Sequence, residues 1–512
     1  MSDWGFLATV FVTGASVLVI ELVGTRILAP YFGSGIYTWS ALIAITMAAL
    51  ALGYKIGGDI ADRYPNTSIL YTLCAAAGTW TALTFWLAEL FLPSLVQFDD
   101  MRYGVLISSF LLFFPSLFLL GTICPFCIRL LDRSREQAGS TSGMVFSIST
   151  AGSLLGALGT GFTLIPNFGT QAIFTFCGLF LIAFSLVGFV FTRRYKTVMF
   201  ALMITMAITY YPATKTLNHD SAVEIIEQAP SFYGQLQIVR KGQVKMMLVD
   251  GIGQNYVSDN SQYVTPYINF ISALPFIRQP VKASQQALVI GLGAGQLPMS
   301  LQNNAIHLEV VEIDPVVASM AEKHFALDLD DTKIHFNDGR VFLGNSTSLY
   351  DSIIIDAFTA DQIAWHLVSK EAIALTKNRL AKDGFLAINL TSISTGEDVA
   401  SIQKTLQSVY SNVRVFVQTP DHENKLSSII FLGSDSPIKL SVSQFSENKN
   451  VTAGQIADIE SFIAGEINQL EGGLVLTDNF NPVSHQREHA QLVWRHAMRD
   501  YLGVDKLGWL LF

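Results

Sequence analysis

Charge is scarce in this chain. Only 14% of its 512 residues are Asp, Glu, Lys or Arg, while 50% are hydrophobic; an ordinary soluble domain carries roughly 25% charged residues. A composition this apolar excludes disorder and argues against a wholly water-soluble protein. An excess of positive charge is also missing. The formal net charge is −9, which argues against nucleic acid as a partner, since that needs a basic face. Cysteine is rare as well: Cys74, Cys124, Cys127 and Cys177 all lie in the apolar first part of the chain, so no disulfide framework supports the rest. His422 and His485 are not read as metal ligands, and no metal is expected.

What is present is unevenly spread. Before about residue 213 long apolar runs dominate, and after it charged residues return to ordinary density. Six runs, 5–29, 36–58, 68–92, 103–128, 143–165 and 169–192, are long enough for membrane helices, each of which needs around 20 mostly apolar residues. A seventh, 197–212, is shorter and ends in Tyr210, Tyr211 and Pro212. The first run has no basic leader and holds Glu21 and Arg26, so it is expected to be retained as a helix rather than cleaved as a signal peptide. Lys55 and Arg63, then Arg129, Arg133 and Arg135, then Arg193, Arg194 and Lys196 follow the second, fourth and sixth runs. The positive-inside tendency places all of these in the cytoplasm. Six crossings then leave the charged half inside, as expected for a bacterial inner-membrane protein, provided that 197–212 re-enters or lies along the interface. If that run crosses, the charged half is outside or the charge rule fails.

Within the helices, Gly152, Gly156, Gly159 and Gly161 read as packing contacts. Cys124-Pro-Phe-Cys127 has redox spacing but lacks the strand and helix that such a motif needs. Gly53 to Arg63, GYKIGGDIADR, resembles the loop between the second and third helices of major facilitator transporters; Asp59, Asp62 and Arg63 can lock helix ends there.

From Ala222 onward EIIEQ, QLQIVRK and KMMLVDG read as a small antiparallel sheet. At Ala287 the rhythm changes: ALVIGLGAGQ, LEVVEID, KIHFND, YDSIIIDAF and GFLAINL are strands separated by helix-like segments, the pattern of a parallel, doubly wound sheet. The fold class is therefore a multi-pass helical membrane domain (1–213), a small β-domain (214–284), a Rossmann-like, methyltransferase-type α/β domain (285–435) and a C-terminal helical tail (436–512). Gly291, Gly293 and Gly295 follow the first parallel strand and let backbone approach a ligand closely. Their spacing is GxGxG rather than the dinucleotide GxGxxG. Glu312, 21 residues after Gly291, ends the second strand, where a carboxylate can accept from ribose hydroxyls. Asp314, before Pro315, is suited to cap the next helix. Asp338-Gly339 ends the third strand, placed to accept from an adenine amino group. In this order they point to an adenosyl-binding site.

Residues about 222–435 resemble spermidine synthases, the aminopropyltransferases, through SFYGQLQIV, LVDGIGQ, the glycine loop, VEID, the Asp338-Gly339 pair and YDSIIIDAF. The whole chain is similar to the membrane-fused bacterial group, the fused transporter/spermidine synthases. The resemblance implies that Gln254 contacts the sulfonium nucleoside, Glu312 the ribose and Asp338 the adenine, and that Asp356 is the catalytic carboxylate that helps deprotonate an attacking amine. It also implies a sulfonium nucleoside as substrate, S-adenosylmethionine or its decarboxylated form, and a polyamine as partner.

The chain departs from that pattern in three places. GLGAG stands for GGGDG, so Ala294 replaces an Asp; Asp356-Ala357-Phe358-Thr359 lacks the second acid of Asp-x-x-Asp; and Tyr267-Ile268-Asn269 stands for Tyr-His-Glu. Asp361 is expected to be a surface loop charge or a partial substitute for the missing acid. With these losses the expectation is membrane-integral cleavage of S-adenosylmethionine at the γ-carbon by its own carboxylate or amine, releasing methylthioadenosine, with Asp356, Tyr263 and Tyr267 as catalytic residues. The alternatives are a true aminopropyltransferase, a methyltransferase, or a transporter or sensor with a nucleoside-binding domain. Asp478 in LTDNFNPV either reaches the site or starts a turn, and the amphipathic end from Trp494 onward rests on the membrane or on a second copy in a homodimer.

Overall fold

The structure is a computed structural model that describes all residues except 1–2, 96–100, 133–137, 193–222, 259–264, 277–284, 303–305, 329–331, 419–424, 441, 443–452, 469 and 503–512. The run 197–212 and Tyr263 therefore lie outside the described residues. The chain divides into two compact units, one mainly Met1–Ser221 and the other mainly Tyr233–Gly503.

Among the described residues the first unit has six helices long and apolar enough to cross a membrane: α1 (Asp3–Phe32), α2 (Ile36–Arg63), α3 (Thr67–Leu95), α4 (Met101–Leu131), α5 (Ala138–Asn167, with a π-turn at Thr160–Leu164) and α6 (Thr170–Thr192). Small residues bring the helices together. A Cβ on Gly152 or Gly156 would strike the α1 carbonyls of Phe11 or Ala15, and one on Gly53 or Gly57 would strike the α4 backbone. Gly159 and Gly161 differ from the packing expectation: nothing lies within 4 Å of where their Cβ atoms would stand, and they flank or enter the π-turn instead. At the helix ends Arg129 pairs with Asp62 at 3.1 Å, a lock of the kind expected there.

The second unit opens with a sheet in the order β1-β2-β3-β4: β1 (Val223–Pro230), β2 (Gln235–Lys241), β3 (Val244–Val249) and β4 (Ile252–Ser258). It leads into an eight-stranded sheet, order β14-β12-β13-β11-β8-β5-β6-β7, built from β5 (Gln286–Ile290), β6 (His307–Glu312), β7 (Lys333–Phe336), β8 (Tyr350–Ile355), β11 (Leu380–Ile393), β12 (Asn412–Val417), β13 (Leu426–Ser434) and β14 (Glu466–Ile467). A two-stranded hairpin of β9 (Phe358–Thr359) and β10 (Gln362–Ile363) follows β8. Strands β7, β6, β5, β8 and β11 run parallel, and β13 and β12 continue antiparallel. Runs such as Ile353-Ile354-Ile355 are apolar without alternation because both faces of the sheet are covered. Residues 436–512, expected as a helical tail, also supply the edge strand β14, which pairs with β12.

Because β5 is followed on one side by β6 and on the other by β8, the chain reverses its direction of growth beside β5. The crevice of a doubly wound sheet opens at that point, beyond the carboxyl ends of the strands. Gly291, Glu312, Asp338 and Asp356 all lie at or just past those ends.

Candidate active site

A cavity of about 340 Å³ occupies this crevice. Gln254, Tyr267, Gly291, Gly293, Glu312, Asp338, Gly339 and Asp356 all line it, so eight of the ten expected site residues come together. Gly295 does not line it; it abuts Leu327 where the helix Gln296–Gln302 begins. Tyr263 lies outside the described residues.

The glycine loop is shaped by its neighbours. Gly291 has φ 103 and Gly293 φ 53, a region that residues with a Cβ rarely adopt. A Cβ on Gly291 would strike the carbonyl of Asp356, and one on Gly293 the amide of Asn255. Asn255 holds the loop from the small sheet, accepting from the Ala294 N–H at 2.8 Å.

Glu312 is buried, and its two oxygens accept from the N–H groups of Leu292 (2.9 Å) and Asp314 (2.8 Å). Burial raises its carboxyl above the usual range, while those N–H groups oppose the shift. Asp314 caps the helix Pro315–Phe325, accepting from the Val316 N–H at 3.0 Å. Asp338 also caps a helix: Oδ1 accepts from the N–H groups of Arg340 and Val341. Its Oδ2 lies 2.8 Å from Nε2 of His366. Burial raises the Asp338 carboxyl, but the Val341 N–H and His366 outweigh it and leave it below its ordinary value. His366 thus shares the carboxylate expected to meet an adenine amino group.

At the opposite side Asp356 accepts from Asn389 Nδ2 (2.8 Å) on Oδ1 and from the Tyr267 hydroxyl (3.1 Å) on Oδ2. Burial raises the Asp356 carboxyl, and both donors pull it back. Glu312 and Asp356 sit on β6 and β8 with β5 between them, two inter-strand steps or roughly 10 Å apart. Asp338 lies one strand further out. The arrangement suits an extended ligand lying across the strand ends.

Two of the departures noted in the sequence do not line this cavity. Ala294 is 0% exposed and packs in the core, and Asn269 donates to Asp458 Oδ2 at 2.6 Å; neither lines the cavity. The side chain of Thr359 lies outside the described residues. Asp361 is neither a surface charge nor a free acid: it is 1% exposed and takes a two-pronged contact from Arg495, 2.7 Å from Nε and 2.8 Å from Nη2. Asp478 lies in a turn closed by the backbones of Thr477 and Phe480, and its carboxylate accepts from both Nη atoms of Arg340 and from Ser369. It thereby ties the tail to the rim beside His366. Among the described residues no group of three His, Cys, Asp or Glu is placed to hold a metal ion. Asn255, His366 and Asn389 were not expected in the site; only the adjacency of Asn255 to Gln254 offered a local signal.

The spermine/spermidine synthase domain matches residues 265–439. A polyamine aminopropyltransferase of Vibrio vulnificus is 30% identical over 228 residues, 43% of this chain and 74% of that protein. The chain belongs to the spermine/spermidine synthase family. It is an enzyme of the aminopropyltransferase type. A polyamine aminopropyltransferase of Corynebacterium efficiens is 25% identical over 431 residues, 77% of this chain and 79% of that protein, a span that reaches from the synthase half into the helical unit. Among solved structures, a probable spermidine synthase of Corynebacterium glutamicum aligns over 55% of this chain and 94% of its own, with 17% identity and a TM-score of 0.39.

Proposed function

We propose that the synthase half transfers the aminopropyl group of decarboxylated S-adenosylmethionine to an amine. The observation that carries this reading is the charge of the cavity. Glu312, Asp314, Asp338 and Asp356 line it, and among the described residues no Lys or Arg does. A cationic sulfonium with an ammonium tail and a cationic amine suit such walls. The carboxylate of S-adenosylmethionine does not: one like charge at about 4 Å costs roughly 4 kcal/mol at an effective dielectric of 20. Ala294 and Asn269 stand outside the lining, and four acids remain in it.

In this reading the adenine lies toward Asp338 and His366, the ribose hydroxyls reach Glu312, and the sulfonium chain runs past the glycine loop toward Asp356, Tyr267 and Gln254. The amine nitrogen bonds to the chain carbon attached to sulfur. The carbon–sulfur bond breaks, and its electron pair stays on the sulfur of methylthioadenosine. For this attack the bound ammonium first gives a proton to Asp356, whose carboxyl burial raises above the usual range and so makes a stronger base, and the product nitrogen then carries the positive charge that the sulfur gives up. Orientation supplies most of the acceleration, since sulfonium is already a good leaving group.

The six apolar helices support an integral membrane protein. With the basic loops inside and 197–212 not crossing, the six spans leave the cavity on the cytoplasmic side. Mass spectrometry of the purified protein with decarboxylated S-adenosylmethionine and a diamine tests the chemistry. The diamine must gain one aminopropyl unit; methylthioadenosine without an aminopropylated product contradicts the reading.

A further inference from the structure

The loop after β8 turns at Ala360, which has φ 54. A non-glycine residue holds such a conformation only where its surroundings over-determine it. Here they come from the far end of the chain. Asp361, the next residue, receives the fork of Arg495. Its carbonyl accepts from Arg487 Nη2 at 3.2 Å and Gln491 Nε2 at 3.5 Å. The turn presents the Ala360 carbonyl to Gln254, whose Nε2 donates to it at 3.1 Å and to the Ile252 carbonyl at 3.2 Å. Both amide hydrogens are thus engaged by backbone, leaving the amide oxygen for a ligand.

We infer that Arg495 is a positioning residue: by fixing Asp361 and the Ala360 turn it orients Gln254 for the nucleoside. The helix Glu488–Leu502 is then part of the binding apparatus, although it contributes no side chain to the cavity lining. The inference rests on the reading of the cavity as a site for adenosyl sulfonium compounds and their thioether product.

The test is titration calorimetry of the full-length protein in detergent with methylthioadenosine. Arg495→Lys keeps the charge but loses the planar fork; binding is expected to weaken about tenfold, the equivalent of one hydrogen bond. In a Gln254→Ala background the same substitution is expected to add almost nothing, because contacts in one chain of interactions are not additive. Should Arg495→Lys fail to fold, the pair Asp361→Asn with Arg495→Gln keeps polar contact without buried charge, and the same tenfold loss is expected of it. Wild-type affinity in the folded variant, or a full additional loss in the Gln254→Ala background, overturns the inference and leaves the proposed chemistry standing. Failure of the wild-type protein to bind methylthioadenosine overturns both.

Discussion

Tyr267→Phe tests how the reacting end of the cavity is tuned. The ring is buried, so removing one oxygen preserves packing and deletes the 3.1 Å hydrogen bond to Asp356 together with a contact to Asn255. That bond favours the ionised carboxylate, opposing the larger effect of burial. A hydrogen bond to a charged group contributes about 1.5–3 kcal/mol, and one pKa unit corresponds to about 1.4 kcal/mol. Loss of the bond therefore raises the Asp356 pKa by roughly one to two units, and a bond as long as this one favours the lower figure. Since Asp356 accepts a proton only when ionised, the acid limb of the kcat/KM profile moves to higher pH by that amount, while the plateau at high pH is largely retained. Steady-state rates across pH measure it directly. An unmoved acid limb with a lowered plateau would refute the reasoning and make Tyr267 a substrate contact instead.

Three other outcomes follow from the same contacts. Gly291→Ala is expected to destabilise the synthase half by at least about 1 kcal/mol and to abolish nucleoside binding, because the new Cβ meets the Asp356 backbone at φ 103; thermal unfolding with and without methylthioadenosine reads both effects. Arg487→Met leaves Asp398 buried opposite an uncharged side chain and is expected to cost about 3–5 kcal/mol, most of it recovered when Asp398→Leu is added, as denaturant unfolding of the single and double variants will show. In sealed inverted vesicles, added protease is expected to cleave the synthase half, and full protection would reverse the proposed orientation.

Much of the site was legible in the sequence because its signals are local. A strand ending in glycines, a carboxylate at the next strand end and an Asp-Gly before a helix occupy short windows whose geometry follows from the parallel sheet. Asp314 and Asp338 show the same locality, since each caps the helix that begins immediately after it. The partners that set the chemistry come from far away. Asn389 reaches Asp356 across 33 residues and His366 reaches Asp338 across 28, with no spacing to announce either. Asp361 looked like a loop charge because its cation stands 134 residues downstream. The losses of acid at Ala294 and Asn269 were visible, but not that these side chains stand outside the cavity lining, because a one-residue change in side-chain direction decides whether a position faces ligand or core.

The acidity of the cavity is the central claim, and competition between the two sulfonium nucleosides tests it most directly. The full-length protein, given equal concentrations of decarboxylated S-adenosylmethionine and S-adenosylmethionine with a diamine, should turn over the decarboxylated form on the order of a thousandfold faster, the factor that one uncompensated carboxylate implies. It should form one aminopropylated amine for each methylthioadenosine. Equal turnover of the two, or methylthioadenosine released from S-adenosylmethionine without any amine, would contradict the account.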